Sequence, residues 1–342
     1  MIYSVVITEN QPANSAEWEA LAETCGNLTQ SGKFDFINKA IGFRHIYFEV
    51  KENNSGQLLA GVKIGSRQVT RFGKFVQMVS CYAQQFGEAL CIPDKKQEDV
   101  LKYLFGSVSN YLRERRIVSI KVLGFYGNPK LLFSDPHAER ISQTDFNTTT
   151  IDLSQSEEQL WQNIHPKHRS EVIKGEKREL AFEEKFSREV FDELIRFAYR
   201  TTPDKKPESG YFDLLFSQSS PENFRMYSVK ENQTALSMAF VFLKGNCAYY
   251  AHGGTLTNSS GAGQFLHWNL MKVLKSQGVQ FYCLGQVSSI SDLGNQKFVE
   301  GISKFKRRFG GDEMESASYE IVYRPSLRWI REKLLWVRKK MI

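Results

Sequence analysis

The same order of predicted elements occurs in both halves of the sequence, and this constrains the fold more than any other feature. In each half, a hairpin and a further strand precede a long helix, and a strand ending in Leu-Gly follows it, at residues 120–124 and 281–285. Tight turns at 53–56 and 231–233 precede the second strand of each hairpin. This order favours two copies of one mixed α/β unit, side by side. Chance similarity between two ordinary α/β segments is the competing interpretation.

β-branched and aromatic runs predict the strands, and apolar residues at a spacing of 3.6 predict the helices. The first half has predicted strands at 3–8, 44–51, 57–67, 74–79 and 117–123, and helices at 14–24 and 96–115. The second half has strands at 181–186, 224–230, 234–244, 247–254 and 278–285, and helices at 156–179 (broken at Pro166), 188–200, 211–217 and 262–277. A polar, turn-forming stretch at 145–150 divides the chain into domains of 1–147 and 148–323, followed by a basic helix at 324–342.

The composition is that of an ordinary globular protein. Of 342 residues, 41% are hydrophobic and only 9 are proline, which excludes disordered, collagen-like and coiled-coil classes. The beginning of the chain lacks the pattern of a signal peptide and no window approaches 18 apolar residues, so we predict a cytoplasmic protein. The five cysteines are widely spaced and form no C-x-x-C pair, so we expect neither a disulfide framework nor a zinc site, and no bound metal.

The positive charge is concentrated at the C-terminal end. The net charge is +7, and residues 301–342 alone hold eleven basic and five acidic side chains. An anionic partner, either a phosphate or a membrane surface, is therefore expected to meet this end. A second basic cluster at 165–178 is read either as part of such a site or as a solvated helix face.

The helix at 325–341 is amphipathic. Its apolar stripe comprises Leu327, Ile330, Leu334, Val337 and Met341. Arg331 and Arg338 border one edge of the stripe, and Lys333 and Lys340 border the other. Such basic borders suit a peripheral position on an anionic membrane. Packing of the stripe against the protein itself remains the alternative.

A glycine-rich loop joins the strand at 247–254 to the following helix. It carries Asn258, Gly261 and Gly263 in an N-x-x-G-x-G pattern. Backbone N–H groups and the positive end of a helix dipole converge in such a loop, which suits a phosphate. The pattern resembles the pyrophosphate loop of the GNAT acyltransferases, R/Q-x-x-G-x-G/A, with Asn258 where that family has Arg or Gln. An ordinary strand-to-helix turn is the alternative.

The second half as a whole resembles the Fem family. The resemblance rests on a basic helix carrying Arg169, on Gly253-Gly254, on Leu266-His267-Trp268, and on an F-K-x-x-F-G element at 305–310. Fem proteins are tandem GNAT-like acyltransferases, and their best-known members move an amino acid from aminoacyl-tRNA onto the stem peptide of a peptidoglycan precursor. The second half also resembles the acetyltransferase branch found with cell-surface polysaccharide enzymes.

The resemblance implies a mixed α/β protein of two tandem GNAT-like domains that face each other across a cleft. It implies transfer of an acyl or aminoacyl group to an amine of a cell-envelope precursor, either a stem peptide or an amino sugar, at the inner face of the membrane. No cofactor is implied, and the donor is aminoacyl-tRNA or acyl-CoA. A non-catalytic protein that keeps this fold and recruits glycan-synthesis enzymes to the membrane is the alternative.

Lys306 is the first candidate catalytic residue. Phe305 and Phe309 are four residues apart and therefore share a buried face, which fixes Lys306 so that it can aim at a phosphate or a developing oxyanion. The resemblance places the matching lysine at the substrate site, with Arg307 beside it. A solvated basic helix end before Gly310 is the alternative.

Other candidates follow from the chemistry of acyl transfer to an amine, which needs a base and a proton donor but no covalent intermediate. We find no sequence signature of a Ser-His-Asp or Cys-His set. His252 is a candidate base and Tyr282 a candidate proton donor, with core packing as the alternative for both. By resemblance, Arg169 and Tyr211 are candidate substrate-binding residues.

Overall fold

The chain forms two compact units, according to a computed structural model. It describes residues 2–25, 30–32, 35, 42–67, 78, 81–86, 89–92, 97–123, 138–200, 210–256, 259–287 and 296–341, the last range with side chains for 300–334. Unit 1 comprises Met1–Asp145 and Ser316–Ile342, and unit 2 comprises Phe146–Glu315.

Unit 1 begins with a strand, a helix and a hairpin, as expected. Its elements are β1 (Tyr3–Glu9), α1 (Ser15–Thr24), β2 (Arg44–Glu52), β3 (Leu58–Arg67), β4 (Tyr82–Phe86), β5 (Leu90–Cys91), α2 (Gln97–Glu114), β6 (Ser119–Leu123) and, from the end of the chain, β13 (Asp312–Val322) and α9 (Pro325–Met341). The strand predicted at 74–79 lies outside the described residues except for Met78, which is helical.

The sheet of unit 1 has the order β1-β2-β3-β4-β6-β13. Only β4 and β6 in this order are parallel, and α2 connects them across the sheet. The apolar spacing that predicts α2 is confirmed, because Val100, Leu104, Val108 and Leu112 form a buried stripe along it.

The C-terminal strand returns to unit 1, which differs from the predicted domain division at 148–323 and 324–342. Residues Ser318–Val322 of β13 pair antiparallel with Ser119–Leu123 of β6. Backbone pairing of this length ties β13 to unit 1. Arg328 of α9 then forms an ion pair with Glu320 of β13, which attaches the start of the last helix to the same unit.

Unit 2 repeats the order of unit 1, which confirms the predicted duplication. Its elements are β7 (Arg140–Asp152), α3 (Glu157–Asn163), α4 (Pro166–Lys177), β8 (Ala181–Glu184), α5 (Arg188–Tyr199), α6 (Tyr211–Gln218), β9 (Phe224–Glu231), β10 (Thr234–Lys244), β11 (Cys247–Thr255), α7 (Ala262–Ser276), β12 (Phe281–Val287) and α8 (Gln296–Arg307). The sheet order is β7-β12-β11-β10-β9-β8. β11 and β12 are parallel, with α7 as their connection, just as α2 connects β4 and β6.

Two groups of helices cover the two faces of the unit 2 sheet. Residues of α3, α4 and α7 pack with Phe305 and Phe309 in one hydrophobic cluster. On the other face, Phe191 of α5 and Phe212 of α6 pack near Phe240 of β10. The predicted break at Pro166 is confirmed, since Pro166 is the first residue of α4.

The start of α9 packs against unit 1, but its apolar side chains are not all covered. Leu327 and Ile330 are half-buried, whereas Leu334 is 45% exposed. Trp329 is 61% exposed. Of the stripe residues whose side chains are described, packing on the protein therefore covers Leu327 and Ile330 in part and leaves Leu334 exposed. No described helix combines the length and the apolar character needed to span a bilayer.

Candidate active site in unit 2

A gap opens between the parallel strands β11 and β12. The two strands pair from Cys247 with Phe281 to Tyr249 with Cys283. Residues 250–255 of β11 and 284–287 of β12 continue beyond the last of these pairs, within the part of the chain that the structure describes. Strands that diverge in this way leave backbone N–H and C=O groups that a bound molecule can use. The gap is therefore a site for a ligand with peptide-like polar groups.

A β-bulge lies on each strand where the gap opens. On β11, Phe240 of the neighbouring strand pairs with His252, and Val241 pairs with Tyr250, so Ala251 is the extra residue. On β12, Leu284 is the extra residue before Gly285, whose φ is +78°. Bulges bend a strand and increase its twist, which explains why the two strands separate here.

Lys306 lies against the diverging part of β12. Its Nζ donates a hydrogen bond to the carbonyl oxygen of Gln286 at 2.9 Å. The predicted aromatic support is confirmed, because the rings of Phe305 and Phe309 lie 5.1 Å apart and Phe309 is fully buried. Burial lowers the pKa of the Lys306 ammonium to about 8. The structure therefore presents one partly desolvated cation at the gap.

The lowered pKa of Lys306 predicts an alkaline limit to activity. If the rate depends on the charged form, it will fall as the pH rises through about 8, because the ammonium loses its proton there. The Lys306→Arg variant stays charged and should keep a flat profile up to about pH 10. A pH series of kcat/KM for both proteins checks this. Identical alkaline limbs in the two profiles would contradict a role for the Lys306 charge.

Two buried imidazoles support the segment that carries Lys306. The Nε2 of His168 lies 3.1 Å from the carbonyl oxygen of Phe305, the residue before Lys306. Rings of His168 and His267 both pack on Phe309, at 4.8 and 5.1 Å. Burial lowers the pKa of His168 to about 4 and that of His267 to about 3. Neither imidazole has a role that the sequence predicts; the spacing of His168 four residues before the apolar Val172, on one face of α4, is the local pattern that could have marked His168.

Tyr282 is close to this cluster but is fully buried. Its hydroxyl lies 2.9 Å from Nδ1 of His267, and its side chain has no exposed surface. Burial raises the pKa of the phenol well above its usual value. The structure thus brings Tyr282 and Lys306 onto the same side of the sheet, with His267 beside both, and gives Tyr282 an internal partner.

His252 and Tyr211 lie on the other face of the sheet. The Nδ1 of His252 is 3.4 Å from the hydroxyl of Tyr199, and its ring contacts Phe240 and Phe212. Burial beside Tyr199 raises the pKa of Tyr211 to about 12, and burial lowers that of His252 to about 4. His252 is therefore a neutral imidazole in an aromatic cluster, and the sheet separates it from the Tyr282–His267 pair.

Both candidate arginines have partners in unit 2. The guanidinium of Arg169 donates to the carbonyl oxygen of Gln162 at 2.9 Å, which satisfies the end of α3. Arg307 donates to Glu313 at 2.6 Å, and this pairing lowers the pKa of the Glu313 carboxyl. These contacts give each side chain a structural role beside the predicted substrate role.

The glycines of the predicted phosphate loop make close contacts within the protein. Gly261 has a φ of +84°, and a Cβ there would collide with the carbonyl oxygen of Glu171 in α4. A Cβ at Gly263 would lie 2.8 Å from Oγ1 of Thr255. We therefore expect a bulky residue at position 263 to destabilise the fold. A loss of ligand binding in a Gly263→Val variant would for this reason not show by itself that Gly263 contacts a ligand. Asn258 lies outside the described residues.

A second buried polar cluster lies in unit 1. The Nζ of Lys63 donates to Asp35 at 2.6 Å, and Tyr47 donates to the other oxygen of the same carboxylate. Burial raises the pKa of Asp35, but hydrogen bonding to His45 and the charge of Lys63 outweigh it, and the net shift is downward. Among the described residues no three or more His, Cys, Asp or Glu side chains are grouped to hold a metal ion.

The sequence of unit 2 matches a known domain. Residues 167–307 match the family model of an acetyltransferase (GNAT) domain. The matched segment spans most of unit 2, so unit 2 is similar to a GNAT acetyltransferase domain. The match assigns this unit to the acyltransferases, as the resemblance implied. No curated protein sequence matches the chain significantly.

Solved structures extend the similarity to nearly the whole chain. FemX is similar with a TM-score of 0.70 at 14% identity, over 94% of this chain and 99% of FemX. L-PGS from Bacillus licheniformis has a TM-score of 0.57 at 13% identity, over 92% and 93% of the two chains. A tandem GNAT protein from the clavulanic acid biosynthesis pathway gives 0.55 at 10%, over 94% and 98%. The chain therefore has a Fem-like tandem GNAT fold, as predicted.

Proposed function

We propose that the protein transfers an acyl or aminoacyl group to an amine of a cell-envelope precursor, peripheral to the inner face of the membrane. The observation that carries the proposal is the partly desolvated Lys306 ammonium at the gap between β11 and β12. The fold similarity to FemX and to L-PGS supports the choice of an envelope acceptor, a stem peptide or an amino sugar.

The reaction needs one carbon–nitrogen bond to form and one ester or thioester bond to break. The neutral acceptor amine attacks the carbonyl carbon, and the carbonyl oxygen becomes an oxyanion. Lys306 stabilises that oxyanion, an interaction worth about 3 kcal/mol for one preorganised donor. The leaving group takes up the proton that the amine loses. His252 remains the proposed base, which takes the proton from the amine on the face of the sheet opposite to Lys306. Tyr282 remains the proposed proton donor, acting through His267, so the net proton transfer is from the amine to the leaving group. Arg169, Tyr211 and Arg307 remain proposed substrate contacts.

The surroundings of the α7 N-terminus favour an aminoacyl ester over acyl-CoA as the donor. A pyrophosphate at this helix end needs free space and positive potential. Here the Oε2 of Glu171 accepts a hydrogen bond from Ser260 at 2.6 Å, directly before the N-cap residue Gly261. Glu171, which also pairs with Lys174, occupies the Ser260 hydroxyl and the position beside this helix end that an anionic ligand would need. We therefore propose aminoacyl-tRNA as the donor.

Calorimetry with coenzyme A tests the donor directly. We expect no binding at 1 mM coenzyme A, because Glu171 already lies beside the helix end.

In parallel, charged tRNA carrying radiolabelled amino acids should lose its label to a purified muropeptide or amino-sugar precursor when the protein is added. Micromolar binding of coenzyme A would overturn the aminoacyl-tRNA donor. Precursor binding without turnover by either donor would favour the non-catalytic alternative.

A further inference from the structure

The first turns of α9 expose apolar and basic side chains together. Trp329 is 61% exposed and Leu334 is 45% exposed. The Nζ of Lys333 lies 5.6 Å from the centre of the Trp329 ring, so a cation and an indole share one exposed patch. Single exposed apolar residues are common, but an indole beside a lysine on a helix is typical of the membrane interface.

The charge of this segment is strongly one-sided. Residues 321–342 hold seven basic side chains, and Glu332 is the single acidic one. The Oε2 of Glu332 lies 2.9 Å from Arg328, and the same arginine also pairs with Glu320, so one cation serves two carboxylates and the six other basic side chains keep the net charge positive. The segment therefore presents a net positive surface, which complements anionic lipid headgroups.

The other side of the helix is fixed to unit 1. Arg328 donates to Glu320 at 2.6 Å, and the guanidinium of Arg331 lies 4.2 Å from the centre of the Tyr82 ring. These contacts orient α9 so that Trp329 and Lys333, one turn apart, lie together on an exposed side of the helix, and Leu334 is exposed one turn after Arg331. An oriented helix loses less conformational freedom on docking than a mobile tail does.

We infer that α9 docks the protein on an anionic membrane, with Trp329 and Leu334 entering the interface and Lys333 contacting headgroups. The basic side chains supply attraction to the surface, and the apolar side chains hold the helix there. This inference rests on the membrane-peripheral position in the proposed function but not on the acyl donor or the acceptor, so its failure would leave the proposed transfer reaction untouched. It gives a physical reason why an envelope-directed enzyme would reach a membrane-linked substrate.

Co-sedimentation of the full chain with vesicles tests the inference. We expect binding to vesicles of phosphatidylcholine and phosphatidylglycerol in equal parts, at least about tenfold weaker binding to pure phosphatidylcholine, and a decline between 50 and 500 mM NaCl. Trp329→Ala and Lys333→Glu should each weaken binding to the anionic vesicles about tenfold. Both side chains are exposed, so thermal melting should be unchanged and should verify that the variants fold.

Matched control variants distinguish vesicle binding through α9 from non-specific binding through other exposed apolar or charged side chains. Ile2→Ser removes an apolar side chain that is 62% exposed, and Arg113→Glu reverses an exposed charge, both in unit 1 but outside α9. Neither should change vesicle binding. Equal, negligible binding to both vesicle types would overturn the inference, as would full binding by Trp329→Ala. Binding of duplex RNA through Lys333 without a preference for anionic vesicles would overturn it in favour of a nucleic acid.

Discussion

Replacing Lys306 with alanine is expected to lower turnover roughly 100-fold, the loss found when one preorganised oxyanion donor is removed. Lys306 is the cation that the structure holds at the gap, with Nζ 2.9 Å from the Gln286 carbonyl oxygen. The loss should appear mainly in kcat, because the oxyanion exists only in the transition state. Stability should change little, since an amine whose pKa is lowered by burial gains no net stabilisation from its charge.

Lys304→Ala is the matched control for this prediction. Lys304 lies two residues earlier on α8, is exposed, and carries the same charge. Its removal changes the net charge equally but leaves the gap untouched, so turnover should stay within about twofold of the parent. Steady-state kinetics on the donor and acceptor that the parent uses compare the variants. Equal turnover by Lys306→Ala and the parent would remove Lys306 from the site, and equal losses in both variants would point to a general charge effect.

Local patterns predicted most elements of the fold. The stripe of α2, the break at Pro166 and the strands of both hairpins depend on residues that are near one another in the sequence. The duplicated order was also visible, because each copy repeats the same local signals. These features need no knowledge of distant contacts, which is why the mixed α/β fold with two units could be predicted.

Non-local pairing accounts for what the sequence did not predict. The pairing of β13 with β6 joins residues about two hundred positions apart, and no local pattern marks it. No sequence pattern marks the bulge at Ala251 either. Strict alternation along a strand would place Tyr250 and His252 on the same face of the sheet, but the one extra residue turns their side chains to opposite faces. His252 therefore came to lie away from Tyr282, although both belong to adjacent strands.

In the candidate site, too, local patterns could be predicted and contacts between distant residues could not. The aromatic spacing around Lys306 is local, and it predicted the support given by Phe305 and Phe309. The groups that fix this segment are distant, since Gln286 is 20 residues from Lys306 and His168 is 137 residues from Phe305. Likewise, Lys63 and Asp35 in unit 1 are 28 residues apart. Only the folded chain brings such partners together.

Substituting Gly261 with alanine is expected to destabilise unit 2 by about 2 to 4 kcal/mol, because strain and collision add. The φ of Gly261 is +84°, a conformation that costs a residue with a Cβ about 1 to 2 kcal/mol. The added methyl group would also collide with the backbone carbonyl oxygen of Glu171, which can move only if α4 moves. Urea unfolding of the variant and the parent, compared at the transition midpoint, measures the loss.

Gly278→Ala separates the two causes and bears on the donor. Gly278 has nearly the same φ, +81°, but its added methyl group would meet open space, so only the strain of about 1 to 2 kcal/mol applies. The difference between the two variants therefore reports how closely α4 covers the loop before α7. A larger loss at Gly261 means that packing between α4 and this loop requires the glycine, whatever ligand binds. Equal losses at the two positions would mean that the loop is open, and acyl-CoA would then regain support as the donor.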